Sequence, residues 1–267
     1  MLLLSTRVTI TYKQKSVLTD LCLDLHEGEI LGLVGHSGCG KSSLALAMLG
    51  LLGMKGGVAT GSILWNQREL LKLTEKEWLT VRGREISLVP QSPMSSLNPS
   101  LRIGTQLAEA WKLHRHGTRQ ECREAIRQAL EDVSLPSTEE FLRRFPSEIS
   151  VGQAQRVLIG MAILHRPSLL IADEPTSSLD AITQAEILVL FSELNRKRGV
   201  SVLYISHDLL AVASLCHRIA ILNEGEIVEC GTAQKVFFSP VHPFTRKLVE
   251  ALPAMPVPQE TCQNASA

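Results

Sequence analysis

The sequence is poor in aromatic residues, carries no excess of charge and contains no long hydrophobic run. Aromatic side chains make up 4% of its 267 residues, so a core must be built mainly from Leu, Ile, Val and Ala. Lysine plus arginine total 27, and so do aspartate plus glutamate. This balance argues against a nucleic-acid-binding protein, because such proteins neutralise phosphates with surplus basic side chains.

The longest apolar run covers the eleven residues from Leu44 to Met54 and is interrupted by glycines. A membrane-spanning helix needs about twenty apolar residues, so no such helix is predicted. The N-terminus lacks a basic region followed by a long apolar stretch, which is the pattern of a secretory leader. We therefore expect a cytoplasmic chain.

The cysteines are scattered, with no C-x-x-C pair and no Cys/His cluster at zinc spacing. Free thiols in a reducing compartment are expected. The six residues are Cys22, Cys39, Cys122, Cys216, Cys230 and Cys262.

Buried-strand and helix patterns alternate along much of the chain, which predicts an α/β fold with a mostly parallel sheet covered on both faces. Leu21, Leu23 and Leu25 alternate with polar residues and predict a half-buried strand before this region. Other predicted strands are Ile30–Val34, Ile63–Trp65, Ile86–Val89, Leu169–Ala172 and Val200–Ile205. Predicted helices are Lys41–Leu52, Gln155–Leu164, Ala185–Arg198 and Thr245–Leu252.

The composition changes between about residues 92 and 150, where Glu, Arg and Gln accompany helically spaced apolar residues. We interpret this stretch as a helical subdomain inserted into a domain that covers residues 1–252. Residues 253–267 are rich in proline and polar side chains, and we expect a flexible tail.

A phosphate-binding motif, G-x-x-x-x-G-K-[ST], starts at Gly35, directly after a predicted strand and before a predicted helix. In this context, backbone N–H groups and the helix N-terminus can surround phosphates. Lys41 is expected at the β- and γ-phosphates, and the Ser42 hydroxyl at Mg²⁺. The candidate residues are Gly35, His36, Ser37, Gly38, Cys39, Gly40, Lys41, Ser42 and Ser43.

Two carboxylates, Asp173 and Glu174, follow the predicted strand Leu169–Ala172. Ligands of doubly wound sheets bind outside the carboxyl ends of strands, so this pair should lie beside the phosphate-binding loop. We expect Asp173 to hold Mg²⁺ and Glu174 to polarise an attacking water.

Taken in order along the chain, these motifs resemble the ATP-binding cassette (ABC) ATPases. The resemblance covers nearly the whole chain. It also includes Tyr12, Gln91, the signature Ile149–Gln153 and His207. It implies a P-loop NTPase core with a mostly parallel sheet, an N-terminal antiparallel β subdomain and an inserted α-helical subdomain. It also implies that the chain binds ATP and Mg²⁺ and hydrolyses ATP.

The resemblance assigns further roles to single residues. Tyr12 would stack on adenine, although a tyrosine is also ordinary in a strand. Gln91 would sense Mg²⁺ and the attacking water, and would hinge the helical subdomain. His207 would hydrogen-bond the γ-phosphate. Ser150, Gly152 and Gln153 would close the nucleotide site of a second cassette in a head-to-tail dimer.

The signature departs from the family pattern L-S-G-G-Q, because Val151 replaces the first glycine. A β-branched residue would be costly at a positive φ but harmless in an ordinary helix. We hypothesise that Val151 affects the nucleotide of the partner cassette, and that the two sites of the dimer are unequal.

Two shorter motifs, Ser95–Pro99 and His242–Leu248, resemble the peptide and nickel importer branch of the family. That branch implies a second, different cassette, two membrane permease subunits and, indirectly, a substrate-binding protein. The chain would then lie peripherally on the cytoplasmic face of the inner membrane. Peptides, nickel and metal chelates are all open as cargo. The alternatives are an exporter ATPase, a non-transport ABC ATPase acting on nucleic acid or ribosomes, and a nucleotide sensor that does not hydrolyse ATP.

Overall fold

The computed structural model describes residues 1–115 and 117–252, so the tail predicted at 253–267 lies outside the described residues. The strands are β1 (Leu2–Tyr12), β2 (Lys15–His26), β3 (Ile30–Val34), β4 (Gly57–Trp65), β5 (Arg68–Glu69), β6 (Ile86–Val89), β7 (Leu169–Asp173), β8 (Ser201–Ser206), β9 (Arg218–Asn223) and β10 (Glu226–Thr232). The helices are α1 (Lys41–Met48), α2 (Glu75–Val81), α3 (Pro93–Ser96), α4 (Ile103–Lys112), α5 (Arg119–Asp132), α6 (Glu139–Leu142), α7 (Val151–Ile163), α8 (Ala181–Arg198), α9 (Leu209–Leu215), α10 (Ala233–Phe238) and α11 (Pro243–Glu250). Short 3₁₀ turns occur at Leu52–Lys55, Leu70–Lys72 and Pro146–Glu148.

The larger sheet has the strand order β10-β9-β3-β8-β7-β6. Strands β9, β3, β8, β7 and β6 are parallel, and β10 joins the edge in the antiparallel direction. The carboxyl ends of β3, β7 and β8 therefore share one edge of the sheet. The predicted α/β fold with a mostly parallel sheet is confirmed.

Side chains of the central strands alternate between two hydrophobic clusters, one on each face of this sheet. In β3, Ile30 and Val34 belong to one cluster, whereas Leu31 and Leu33 belong to the other. Such strands are apolar throughout because both faces are covered. Helices α4, α5 and α7–α10 contribute to the first cluster, and α1 with the smaller sheet contributes to the second.

The smaller sheet is antiparallel, with the order β2-β1-β4-β5. Its strand β2 buries Leu21, Leu23 and Leu25, while Cys22 and Asp24 are exposed, as their alternation predicts. The five cysteines of residues 1–115 and 117–252 are free thiols, and Cys262 lies outside these ranges.

Helices α3 to α6 fill the stretch from 92 to 150, where α3, α4 and α5 pack against α7 and α6 packs against α4. Thr118 starts α5 with a capping box, in which its hydroxyl and the Glu121 carboxylate satisfy each other's backbone N–H groups. Trp111, Ile126 and Phe141 are buried in the first cluster, as their helical spacing suggests.

Helix ends differ from the sequence expectations for identifiable reasons. Helix α1 ends at Met48 and not at Leu52, because Gly50 takes a left-handed φ of +63° and turns the chain under Trp78. Helices α7 and α8 each begin four residues earlier than predicted, because Ser150 and Asp180 cap their first turns.

Candidate active site

The loop from Gly35 to Gly40 joins the end of β3 to the start of α1 and contains the predicted residues Gly35, His36, Ser37, Gly38, Cys39 and Gly40. Gly40 has a φ of +107°, and a Cβ there would lie 2.5 Å from the Leu18 side chain. Only glycine fits this position. Because glycine has no capping side chain, the first N–H groups of α1 are left for a ligand, and the helix dipole favours an anion there.

Lys41 is 4% exposed and lies inside this loop. Its Nζ donates hydrogen bonds to the carbonyl oxygens of Gly35 at 2.8 Å and His36 at 2.9 Å. The same atom lies 3.7 Å from Glu174 Oε1. The ammonium therefore lies between the loop and the acidic pair, where it can meet phosphate oxygens.

The Asp173 carboxyl and the Ser42 hydroxyl lie close together beside the loop. Burial raises the pKa of the Asp173 carboxyl, and the nearby Ser42 hydroxyl and Lys41 act in the opposite direction. Asp173 Oδ1 is buried and has no hydrogen-bond partner among the described residues. Carboxylate and hydroxyl oxygens are ligands that Mg²⁺ prefers, and it typically uses one or two carboxylates together with substrate phosphates. These residues therefore fit a Mg²⁺ ion.

Glu174 contacts both Lys41 and His207 and so lies at the centre of the site. It has a left-handed φ of +48°, a conformation that costs a non-glycine residue about 1–2 kcal/mol and marks stored strain. Its Oε2 lies 2.8 Å from His207 Nδ1, while Oε1 faces Lys41. Its backbone N–H donates to the carbonyl of Ile205, which anchors the turn to β8. The carboxylate is thus held as an acceptor that can take a hydrogen bond from water.

Gln91, which follows β6, reaches the same turn through a residue that sequence reasoning missed. Its Nε2 donates to Ser177 Oγ at 3.2 Å, and Ser177 Oγ donates to the Glu174 carbonyl at 3.1 Å. The observed partner of Gln91 is therefore Ser177. In the sequence, the feature that could have indicated Ser177 as a site residue is its position three residues after the acidic pair.

Tyr12 ends β1 beside the first turn of α1. Its Oη lies 3.1 Å from Ser43 Oγ, and a Cβ on Gly57 would come within 2.8 Å of its ring. The ring is half-buried, so it partly fills a packing role next to the phosphate-binding helix.

The signature packs against the start of α8, whereas Lys41 and Ser42 pack against the acidic pair. Ser150 caps α7 and forms a capping box with Gln153, with both hydrogen bonds at 3.1 Å. Gly152 lies so close to Thr183 that a Cβ would be 2.6 Å from its methyl group. Val151 is the first residue of α7 and is 41% exposed, so the cost of a positive φ does not arise.

A sequence model of the ABC transporter family matches residues 18–177. The chain belongs to this family. The family resemblance inferred from the motifs is confirmed, and the chain is an ABC-type ATPase of a transporter.

Curated relatives of this ABC ATPase include the oligopeptide transport ATP-binding protein OppD of Escherichia coli. It is 42% identical over 257 residues, which cover 96% of this chain and 76% of OppD. The dipeptide transport ATP-binding protein DppD of Bacillus subtilis is 41% identical over 233 residues, covering 87% of this chain and 70% of DppD.

Solved structures agree with the ABC ATPase fold. The dimeric cassette MJ0796, in a post-hydrolysis state bound to ADP and Pi, is 28% identical with a TM-score of 0.73. The match covers 87% of this chain and 99% of that one. Within the part of the ABC ATPase that the structure describes, no helix is long and apolar enough to span a bilayer.

Proposed function

We propose that this ABC ATPase powers a peptide importer. The series of contacts from the loop carbonyls through Lys41 and Glu174 to His207 supports the catalytic part of the proposal. It connects the phosphate-binding loop to a carboxylate that can act as a general base. The names of the relatives, which are oligopeptide and dipeptide transport proteins, support peptides as cargo and give no support to nickel or metal chelates.

In this mechanism the triphosphate lies in the loop 35–42, and Lys41 exchanges its carbonyl partners for phosphate oxygens. Ser42 and Asp173 would hold Mg²⁺, which neutralises charge on the β- and γ-phosphates. Glu174 accepts a proton from the attacking water, and His207, through its Nδ1 contact, orients the Glu174 carboxylate. Tyr12 would flank the adenine.

Gln91 would couple the site to the helical subdomain at 92–150. Its hydrogen bond to Ser177 links that subdomain to the turn at Glu174. A movement of Glu174 can therefore be transmitted to the start of the insertion. We place the ABC ATPase domain at residues 1–252. ATP can move such an element only by binding its two states with different affinity.

Assembly would follow the head-to-tail dimer inferred from the signature, and the dimeric state of MJ0796 supports a dimer of cassettes. Ser150, Gly152 and Gln153 of one cassette would face the nucleotide of the other, with Mg²⁺-ATP between them. The partner cassette would be a different chain. Two permease subunits and a substrate-binding protein would complete the importer. This chain would lie on the cytoplasmic face of the membrane.

If Val151 makes the two sites unequal, Val151→Gly should change the rate of ATP hydrolysis at the partner's site. An unchanged rate would contradict the hypothesis that Val151 makes the sites unequal.

The proposal is tested by uptake in the source organism. Deleting the gene should abolish uptake of radiolabelled di- and oligopeptides, and the wild-type gene should restore it. Glu174→Gln should fail to restore uptake, whereas the matched change Glu193→Gln, on the exposed side of α8, should succeed. Loss of nickel uptake with intact peptide uptake would overturn the choice of peptides.

A further inference from the structure

Helix α11, the last helix within residues 117–252, reaches the phosphate-binding loop. The ring of Phe244, the second residue of α11, packs edge-on against His36, with centroids 4.9 Å apart and an interplanar angle of 63°. Such T-shaped pairs are attractive because the positive edge of one ring meets the negative face of the other. The motif His242–Leu248 indicates only a branch of the family, and the six motifs that indicate the ABC ATPases do not include Phe244.

The segment before Phe244 is fixed by Glu229 of β10. Its two carboxylate oxygens accept the backbone N–H groups of Val241 and His242, each at 3.0 Å. Burial acts to raise the pKa of Glu229, but these two backbone hydrogen bonds and the nearby Thr245 hydroxyl outweigh it, so the pKa is lowered. Thr245 is fully buried, so the start of α11 is held in place on both sides of Phe244.

His36 occupies a central position in the loop. Its carbonyl oxygen accepts the Lys41 Nζ hydrogen bond at 2.9 Å and the Cys39 N–H at 3.4 Å. Its own side chain is exposed, so Phe244 is a neighbour that limits its movement. A ring that fixes His36 therefore fixes the backbone around which Lys41 and the loop N–H groups are arranged.

We propose that Phe244 is a positioning residue for the nucleotide site, which pre-organises the loop for the triphosphate by holding His36. This rests on the proposed function only in that loop 35–42 binds the phosphates. A pre-organised loop loses less conformational freedom on binding, so the contact should appear in ATP affinity and not in the chemical step.

The test measures the ATP dissociation constant by calorimetry, together with KM and kcat for hydrolysis. Phe244→Ala should raise both the dissociation constant and KM by about threefold to tenfold, the range expected for loss of one aromatic pair. The value of kcat should change by less than about twofold, because the chemical groups are untouched. Phe244→Tyr, which keeps the ring, should restore the affinity.

Phe238→Ala is the matched control, because Phe238 is an exposed phenylalanine of neighbouring α10. The ATP dissociation constant of the double variant His36→Ala/Phe244→Ala should not exceed that of the single variant that binds ATP less tightly. The reason is that each of the two substitutions removes the same contact. This non-additivity separates the proposed contact from a general loosening of α11. Thermal melts verify that each variant is folded.

Two results would overturn the inference. One is a Phe244→Ala affinity that equals the Phe238→Ala control, and the other is a full additive loss in the double variant. Failure of the part of the proposed function on which this inference rests looks different, because the wild type would then bind no ATP at all. A wild type that binds ATP, with binding lost in Lys41→Ala, leaves the phosphate-binding role of loop 35–42 standing whatever Phe244 does.

Discussion

Replacing Asp173 with asparagine should make the nucleotide-free protein more stable while removing its response to Mg²⁺. Asp173 Oδ1 is buried with no hydrogen-bond partner among the described residues, so the ionised carboxylate is incompletely compensated. An unsatisfied buried group costs about 1–3 kcal/mol, and Ser42 and Lys41 offset part of this. A gain of about 1 kcal/mol corresponds to a Tm rise of about 2–4 °C in a domain of this size.

The pH dependence has a defined sign. Burial raises the pKa of Asp173 above that of an unfolded aspartate. At pH values between the unfolded and the folded pKa, the folded chain therefore binds more protons than the unfolded chain. The contribution of Asp173 to stability therefore falls as the pH rises through its titration. Asp173→Asn should remove this contribution.

Scanning calorimetry can measure three states of each protein: nucleotide-free, with ATP and EDTA, and with ATP and Mg²⁺. A ligand at about 100 times its Kd adds about 2.7 kcal/mol of stability, so a Mg²⁺-specific increment should be visible in the wild type. It should vanish in Asp173→Asn and persist in Asp24→Asn, a matched change on an exposed face of β2. A less stable nucleotide-free variant, or an intact Mg²⁺ increment, would refute the reasoning.

Three further predictions address the base, the loop and the insertion. Glu174→Gln should lower kcat for ATP hydrolysis by about 10²–10⁴ while ATP affinity persists, as single-turnover assays can check. Gly40→Ala should destabilise the protein by more than about 1 kcal/mol in chemical denaturation, because φ is +107° and the added Cβ meets Leu18; a neutral result would contradict this geometry. Burial lowers the pKa of His114 and His165, whose rings pack edge-on, so stability should fall as the pH drops below about 6.5, the unfolded value. His165→Gln should flatten that slope in pH-dependent melts.

Residues that lie next to one another in the sequence could be assigned before the structure was known. The glycine-rich loop with Lys41 and Ser42, and the pair Asp173 and Glu174, are short contiguous motifs at the ends of strands. Strands β3, β6, β7 and β8 were predicted to within one residue at each end, because they are mostly apolar runs buried on both faces of the sheet. Strands β1, β9 and β10 were not identified from the sequence, and β4 was predicted only over its last three residues. Helix starts were predicted less well, since the capping roles of Ser150 and Asp180 depend on the backbone conformation before each helix.

Contacts between distant parts of the chain required the tertiary structure. Local patterns determined strands β3, β6, β7 and β8, the phosphate-binding loop and the acidic pair, because hydrophobic periodicity and glycine-rich turns act over a few residues. The order of strands in the sheet decided that Glu174 meets His207 and Lys41. It also decided that Ser177 takes the Gln91 amide and that Phe244 reaches His36. Those meetings depend on how elements far apart in sequence pack to bury both faces of one sheet, which no single segment encodes.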